Sequence, residues 1–230
     1  NFCDWKDHDE RFERLVEIFQ VRGSYECVPE DGNPVPERDT REPPFPKGYV
    51  RDALAFGWRV GFTAGGDDHR GAWGTEAAID HGYKQGLMAV EASECTRDSI
   101  FEALYNRRVT ATTGARILLS YRLHGYPMGT ELSAAEFPEL ITSRRMSVVA
   151  HGTAPIARID IIRNGTVQFS HTPGTDDQDV NVEWEDHDPF HAICLPPAEY
   201  CAQPFSYYYV RLLQKDGEVA WASPVWIDSD

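Results

Sequence analysis

Gly65-Gly66-Asp67-Asp68-His69 is the stretch of this sequence with the clearest chemical content. Asp67 and His69 stand two apart, so on an extended segment they project toward the same side. A carboxylate oxygen and an imidazole nitrogen suit zinc, manganese or iron. The D-x-H spacing is a weak signal by itself, because short acidic turns with a histidine are common. Position gives it weight.

Trp58 to Thr63 is an apolar run of strand character, expected to end at Ala64, where the two glycines let the backbone turn. The C-terminal edge of such a strand is where α/β barrels and open α/β sheets keep their active sites. Before it, Tyr49 to Gly57 suits a helix with Val50, Leu54 and Ala55 inward. Asp9 to Val16 reads as a short charged helix leading into a strand over Leu15 to Gln20, with Gly23 marking its end. After the acidic turn, Gly86 to Ala92 is another strand, and Thr96 caps a helix with Ile100, Phe101, Ala103 and Leu104 as its buried stripe. Helix, strand, helix, strand argues for α/β units with parallel strands. Residues 28–48 hold six prolines among charged residues and read as a long surface loop, either site-forming or a solvated insertion.

From about Arg116 the character changes. Ile117 to Leu123, Met146 to Ala150, Ala157 to Arg163, Val167 to His171, Val180 to Trp184, Tyr207 to Leu213 and Val219 to Ile227 are short strands with turn signals between them. Asn164-Gly165 is a strong hairpin turn. The pattern predicts an antiparallel sandwich. Tyr207, Tyr208, Tyr209, Trp221 and Trp226 alternate along its strands and read as core rather than as a carbohydrate platform.

Composition narrows the classes. With 22 basic and 37 acidic residues the net charge is −15, and no basic cluster offers a phosphate-backbone or anionic-membrane footprint. Nucleic acid is therefore not an expected partner. No apolar run reaches the roughly 20 residues of a membrane span, so a soluble protein is expected, cytoplasmic or periplasmic. The five cysteines lack a C-x-x-C spacing; Cys194 and Cys201 are close enough in sequence to be bridged, with buried free thiols the preferred reading. His187 and His191 are four apart, but Pro189 prevents the helix that would align them. Asp176-Asp177-Gln178-Asp179 lacks the Gly and Glu of a calcium loop. His81 is not expected to be a ligand.

Several segments together resemble a known family. They are Gly61 to His69, Thr96 to Leu104, Arg107 to Ile117, Ile159 to Gly165, Tyr207 to Arg211, and Ala220 to Trp226. In that order they look like the C-terminal portion of the DUF3604 family, which is related to the PHP (polymerase and histidinol phosphatase) metallohydrolases. The resemblance implies an α/β plus all-β chain: the C-terminal part of a PHP-type distorted (β/α)7 barrel over residues 1–114, then an antiparallel β-sandwich over 115–230. It also implies a centre of more than one divalent transition metal (Zn, Mn or Fe) that hydrolyses phosphoesters with a metal-activated water. The late G-x-D-x-H motif of that family falls on Asp67 and His69 as ligands, with Asp68 pointing away as a turn carboxylate.

The sequence also departs from that family. The H-x-H motif that opens PHP proteins is absent from it. Glu17, at the end of a barrel-type strand, and Glu26 are weaker ligand candidates; related sequences often carry His where Arg22 stands. The remaining ligands are expected from a missing N-terminal barrel segment or a second chain. The expected function is a metal-dependent hydrolase, phosphoesterase-like, acting on a small-molecule ester or phosphoester. The alternative is a non-catalytic binding or structural module with a vestigial metal site.

Overall fold

The computed structural model describes residues 5–38, 48–69, 71 and 82–230. From the N-terminal side come β1 (Leu15–Gln20), β2 (Gly23–Ser24), α1 (Val50–Ala55) and β3 (Gly61–Ala64). Next are β4 (Leu87–Val90), α2 (Arg97–Tyr105) and β5 (Val109–Thr112). The following strands are β6 (Leu118–Leu123), β7 (Tyr126–Pro127), β8 (Glu131–Ser133), β9 (Arg144–His151), β10 (Ile156–Arg163), β11 (Thr166–His171) and β12 (Asp179–Asp186). The short α3 (Phe190–Ile193) precedes β13 (Phe205–Gln214) and β14 (Val219–Asp228).

Three sheets form among the described residues. A seven-stranded sheet runs β11-β10-β13-β14-β5-β4, with β8 added alongside β14. A four-stranded sheet, β12-β9-β6-β7, covers one of its faces, and this pair is the sandwich. A three-stranded sheet, β2-β1-β3, packs with α1 against the other face.

The central strands explain the layering. Along β13, Tyr208, Val210 and Leu212 join the sandwich core with Leu119, Tyr121, Val148 and Val182. Tyr207 and Tyr209 point the other way, into the core shared with Ile18, Phe19, Leu54 and Phe62. A strand buried on both faces loses the alternation of a half-exposed one and reads as a continuous apolar run. Tyr207, Tyr208, Tyr209, Trp221 and Trp226 are all at most 1% exposed, which makes them core. Phe62 meets Tyr209 edge-on at 5.3 Å between centroids, and Phe19 stacks on Trp221 at 6.0 Å. Large rings of this kind each bury roughly 150–250 Å². They fix the small sheet on the large one.

Most of the expected strands are present, and Asn164 and Gly165 both carry positive φ (50° and 79°), as their hairpin requires. Four expectations change. On α1 it is Ala53, not Ala55, that packs inward with Val50 and Leu54. Asp9 to Val16 is not a helix: Glu13 N–H bonds Asp9 O at 2.9 Å in one turn, after which the chain extends into β1 to pair with β3. Helix α2 is capped by Thr96, whose Oγ1 accepts from Ser99 N–H at 3.3 Å, but its stripe is narrower than expected. Ala103 is buried, whereas Phe101 is 66% exposed and stacks on Tyr105, because the helix flanks the edge strand β4 rather than crossing a sheet. Parallel pairing holds for β1 and β3, but β4, β5 and β14 pair antiparallel. The seven-stranded sheet therefore takes strands from both sides of residue 114.

Cys27, Cys95, Cys194 and Cys201 are free thiols. No described helix is long and apolar enough to cross a membrane.

Candidate metal corner at the end of β3

Strands β1 and β3 pair in parallel, with Leu15 opposite Gly61, Val16 opposite Phe62 and Glu17 opposite Thr63. Their C-terminal ends coincide, so residues after each strand face one another. Main-chain bonds tie the two exits: Gly65 N–H to Phe19 O at 3.2 Å and Val21 N–H to Gly66 O at 3.3 Å. Gly86 N–H bonds Gly65 O at 2.8 Å and brings in the approach to β4.

The turn differs from the one expected on one point. Its left-handed residues are Asp67 (φ 49°) and His69 (φ 61°), not the two glycines. Asp and His enter that region more readily than most residues, at a cost of order 1–3 kcal/mol each. Gly65 is small for another reason: a Cβ there would lie 2.6 Å from Oε1 of Glu17. The Glu17 carboxyl thus lies directly over the Gly65 backbone.

Asp67 is held on three sides. Gln20 Nε2 donates to its Oδ2 at 2.9 Å, and Arg22 Nη1 donates to the same oxygen at 2.8 Å and to the main-chain oxygen at 3.0 Å. Nε2 of His69 lies 2.8 Å from the other oxygen, Oδ1. His69 is well exposed, at 73%, and Asp67 is 40% exposed. Asp68 is buried, with Oδ1 accepting from Gly71 N–H at 3.1 Å.

Glu17 joins this group electrostatically. Partial burial of its carboxyl raises it from 4.5 to about 7; the Asp67 charge adds to the shift and Arg22 opposes it. Glu17 as a residue stays exposed, so its carboxyl over Gly65 is only partly withdrawn from water. A carboxyl poised near neutral pH can take up or release a proton under ordinary conditions.

Glu26 lies elsewhere. Its Oε1 accepts from Tyr209 Oη at 2.6 Å and Arg51 Nη2 at 3.3 Å, and its Oε2 from Arg211 Nη1 at 2.9 Å and Trp221 Nε1 at 2.8 Å. Both oxygens are committed to the buried seam between the small sheet and β13–β14. The structure brings Asp67, His69 and Glu17 together and leaves Glu26 out. His187 and His191 are exposed on the sandwich, and His81 falls outside the described residues.

Donor chemistry at Asp67 and His69 suits a divalent ion. In the structure the 2.8 Å between Oδ1 and Nε2 is an ion-pair contact of the two side chains with each other, which a shared ion would have to open. No group of three or more His, Cys, Asp or Glu suited to hold a metal occurs among the described residues. The described residues thus offer two candidate ligands, short of the three or four a zinc site uses. Gln20 was not legible as a site residue from the sequence; only the parallel register of β1 with β3 shows that the residues after β1 meet the turn after β3.

Residues 67–154 match the model of a family described as "Protein of unknown function (DUF3604)", in keeping with the resemblance carried by the sequence segments. An uncharacterized protein of Chlamydia muridarum is 40% identical over 227 residues, covering 98% of this chain and 36% of that protein. One of Chlamydia trachomatis serovar D is 41% identical over 218 residues, covering 94% and 35%. The chain thus spans a little over a third of the length of the curated relatives it matches. A solved structure of the fibronectin(III)-like modules of Clostridium thermocellum CbhA aligns over 37% of this chain and 77% of that one, at 15% identity. Its TM-score of 0.22 gives that likeness no weight.

Proposed function

We propose that these residues supply one corner of a divalent-metal centre in a PHP-type hydrolase, with Asp67 Oδ1 and His69 Nε2 as two of its ligands. The observation that carries the reading is the convergence of the two donors, 2.8 Å apart, on the turn that leaves β3 beside the end of parallel β1. The remaining ligands come from polypeptide outside these 230 residues or from a second chain, in keeping with the greater length of the relatives. A phosphoester is the default substrate class, with other small esters next. The barrel part then falls within residues 1–114, whose β4 and β5 already join the larger sheet of the sandwich over 115–230 that braces it.

A divalent ion at such a site supplies Lewis-acid activation of water and of the bound ester. The residues of this chain hold and position: Asp67 and His69 present donors, and Gln20 orients the Asp67 carboxylate.

The rival reading is a binding or structural module with a relic metal site. It is favoured by the Arg22 guanidinium, which already balances the Asp67 charge. Metal content of the intact protein, purified without chelators, separates the two. A transition metal retained by the wild type and lost with Asp67→Ala and with His69→Ala supports the hydrolase centre. Equal metal content in all three, or none in any, favours the module.

A further inference from the structure

Asp67 Oδ2 accepts two donors of different kinds. Gln20 contributes a neutral amide N–H at 2.9 Å, and Arg22 a charged guanidinium N–H at 2.8 Å. One neutral donor suffices to orient a carboxylate. What Arg22 adds is a full positive charge, fixed in place by its second bond to the main-chain oxygen of Asp67 and by a side chain only 16% exposed. An ion bound to Oδ1 would lie within about 4–6 Å of that guanidinium, the range in which neighbouring charges shift each other's equilibria. Like charges at that separation oppose one another.

We propose that Arg22 is the resident counter-ion of Asp67, competing with a divalent cation for its negative charge, while Gln20 is the residue that positions the carboxylate. This rests on the reading of Asp67 and His69 as ligands. It makes the site one whose metal affinity is set low by a built-in cation, so that the ion exchanges readily. It also assigns opposite signs to two neighbouring residues that bond the same oxygen. A purely structural role for both would give the same sign.

The test is titration of the metal-free intact protein with Co(II), followed by its visible absorption and by equilibrium dialysis. Arg22→Gln removes the charge and is expected to tighten Co(II) binding tenfold or more. Gln20→Leu is expected to weaken it about tenfold, as loss of an outer hydrogen bond to a ligand usually does. Arg22→Lys keeps the charge and is expected to stay within about threefold of wild type, which keeps the question decidable if the glutamine variant does not fold. Metal-free Arg22→Gln should melt below wild type, and the gap should close on adding Co(II). Unchanged or weaker binding in folded Arg22→Gln, or much tighter binding in Arg22→Lys, overturns the counter-ion role and leaves the metal reading standing. Wild type and all variants binding no more Co(II) than Asp67→Ala would remove both.

Discussion

Glu26 Oε2 accepts from Arg211 Nη1 at 2.9 Å, and the two residues are 1% and 2% exposed. The pair joins the turn after β2 to the middle of β13. Arg211 Nη2 continues to Asp160 Oδ2 at 3.0 Å, and Tyr209 and Trp221 close on Glu26 from the same sheet. Every carboxylate oxygen in this chain of contacts is satisfied, as buried charge demands.

Removing one member of such a pair leaves the other charge buried without compensation, at a cost of about 3–5 kcal/mol. Glu26→Ala is therefore expected to lower stability by that order, and Glu26→Ala with Arg211→Met by less than the sum of the single changes. Urea unfolding monitored by tryptophan fluorescence checks both. Metal content per folded molecule should be unchanged in Glu26→Ala, since its oxygens face Arg51, Tyr209, Arg211 and Trp221.

A second buried knot bolts the two sheets of the sandwich. Asp186 on β12 accepts from Tyr208 Oη on β13 at 2.7 Å and Arg163 Nη1 on β10 at 2.5 Å, and it pairs with Arg144 on β9 at 3.0 Å. Burial alone would raise its carboxyl; the donors from Tyr208, the Asp188 main chain and Arg163, with the Arg144 charge, more than offset this and hold it below 3.8. A carboxyl depressed on folding contributes stability that is fully present above its unfolded value and is lost as pH falls through the folded one. Asp186→Asn should therefore be less stable than wild type at neutral pH, and the gap should narrow as pH drops below about 3.8. Thermal melts from pH 7 down to pH 3 provide the measurement.

The sandwich was largely legible in the sequence because its strands announce themselves by β-branched and aromatic runs and by turns such as Asn164-Gly165. The missed strands are the short ones. β7 and β8 have two and three residues, too few to show a period; β7 closes a short hairpin on Arg122 and Leu123, and β8 is paired by distant Trp226 and Ile227. β5 was hidden for another reason: Val109 to Thr112 carries two threonines whose hydroxyls serve buried carbonyls of Leu119 and Ala115. The site was half legible. Asp67 and His69 stand in one motif, whereas Gln20 and Arg22 reach them only through the β1–β3 register, a tertiary fact with no local signature.

Two glycines beside the site should respond differently to alanine. At Gly86 a Cβ would meet Ala64 Cβ at 2.6 Å, Phe19 Cδ1 at 2.9 Å and Thr112 O at 3.0 Å, all part of packed strands. Gly86→Ala is expected to cost about 1–3 kcal/mol, the usual range for overpacking. At Gly65 the obstacle is the carboxylate end of Glu17, which can swing aside. Gly65→Ala should keep nearly wild-type stability while displacing Glu17, and denaturant midpoints of the two variants compare them directly.

Glu17 gives the site its own pH signature. Burial first, and then the Asp67 charge, lift its carboxyl from 4.5 to about 7, with Arg22 pulling the other way. The folded protein consequently binds this proton more tightly than the unfolded chain does. For a carboxyl raised on folding, the stabilising contribution is complete below the unfolded value and disappears as pH rises through the folded one. Wild-type stability should therefore fall between about pH 4.5 and about pH 7 by an amount that Glu17→Gln abolishes. Partial exposure of Glu17 keeps the effect small, so the difference between wild type and variant across that window is the quantity to follow. Parallel melts at half-unit pH intervals resolve it. Superimposable slopes for the two proteins would place Glu17 in solvent, free of Asp67.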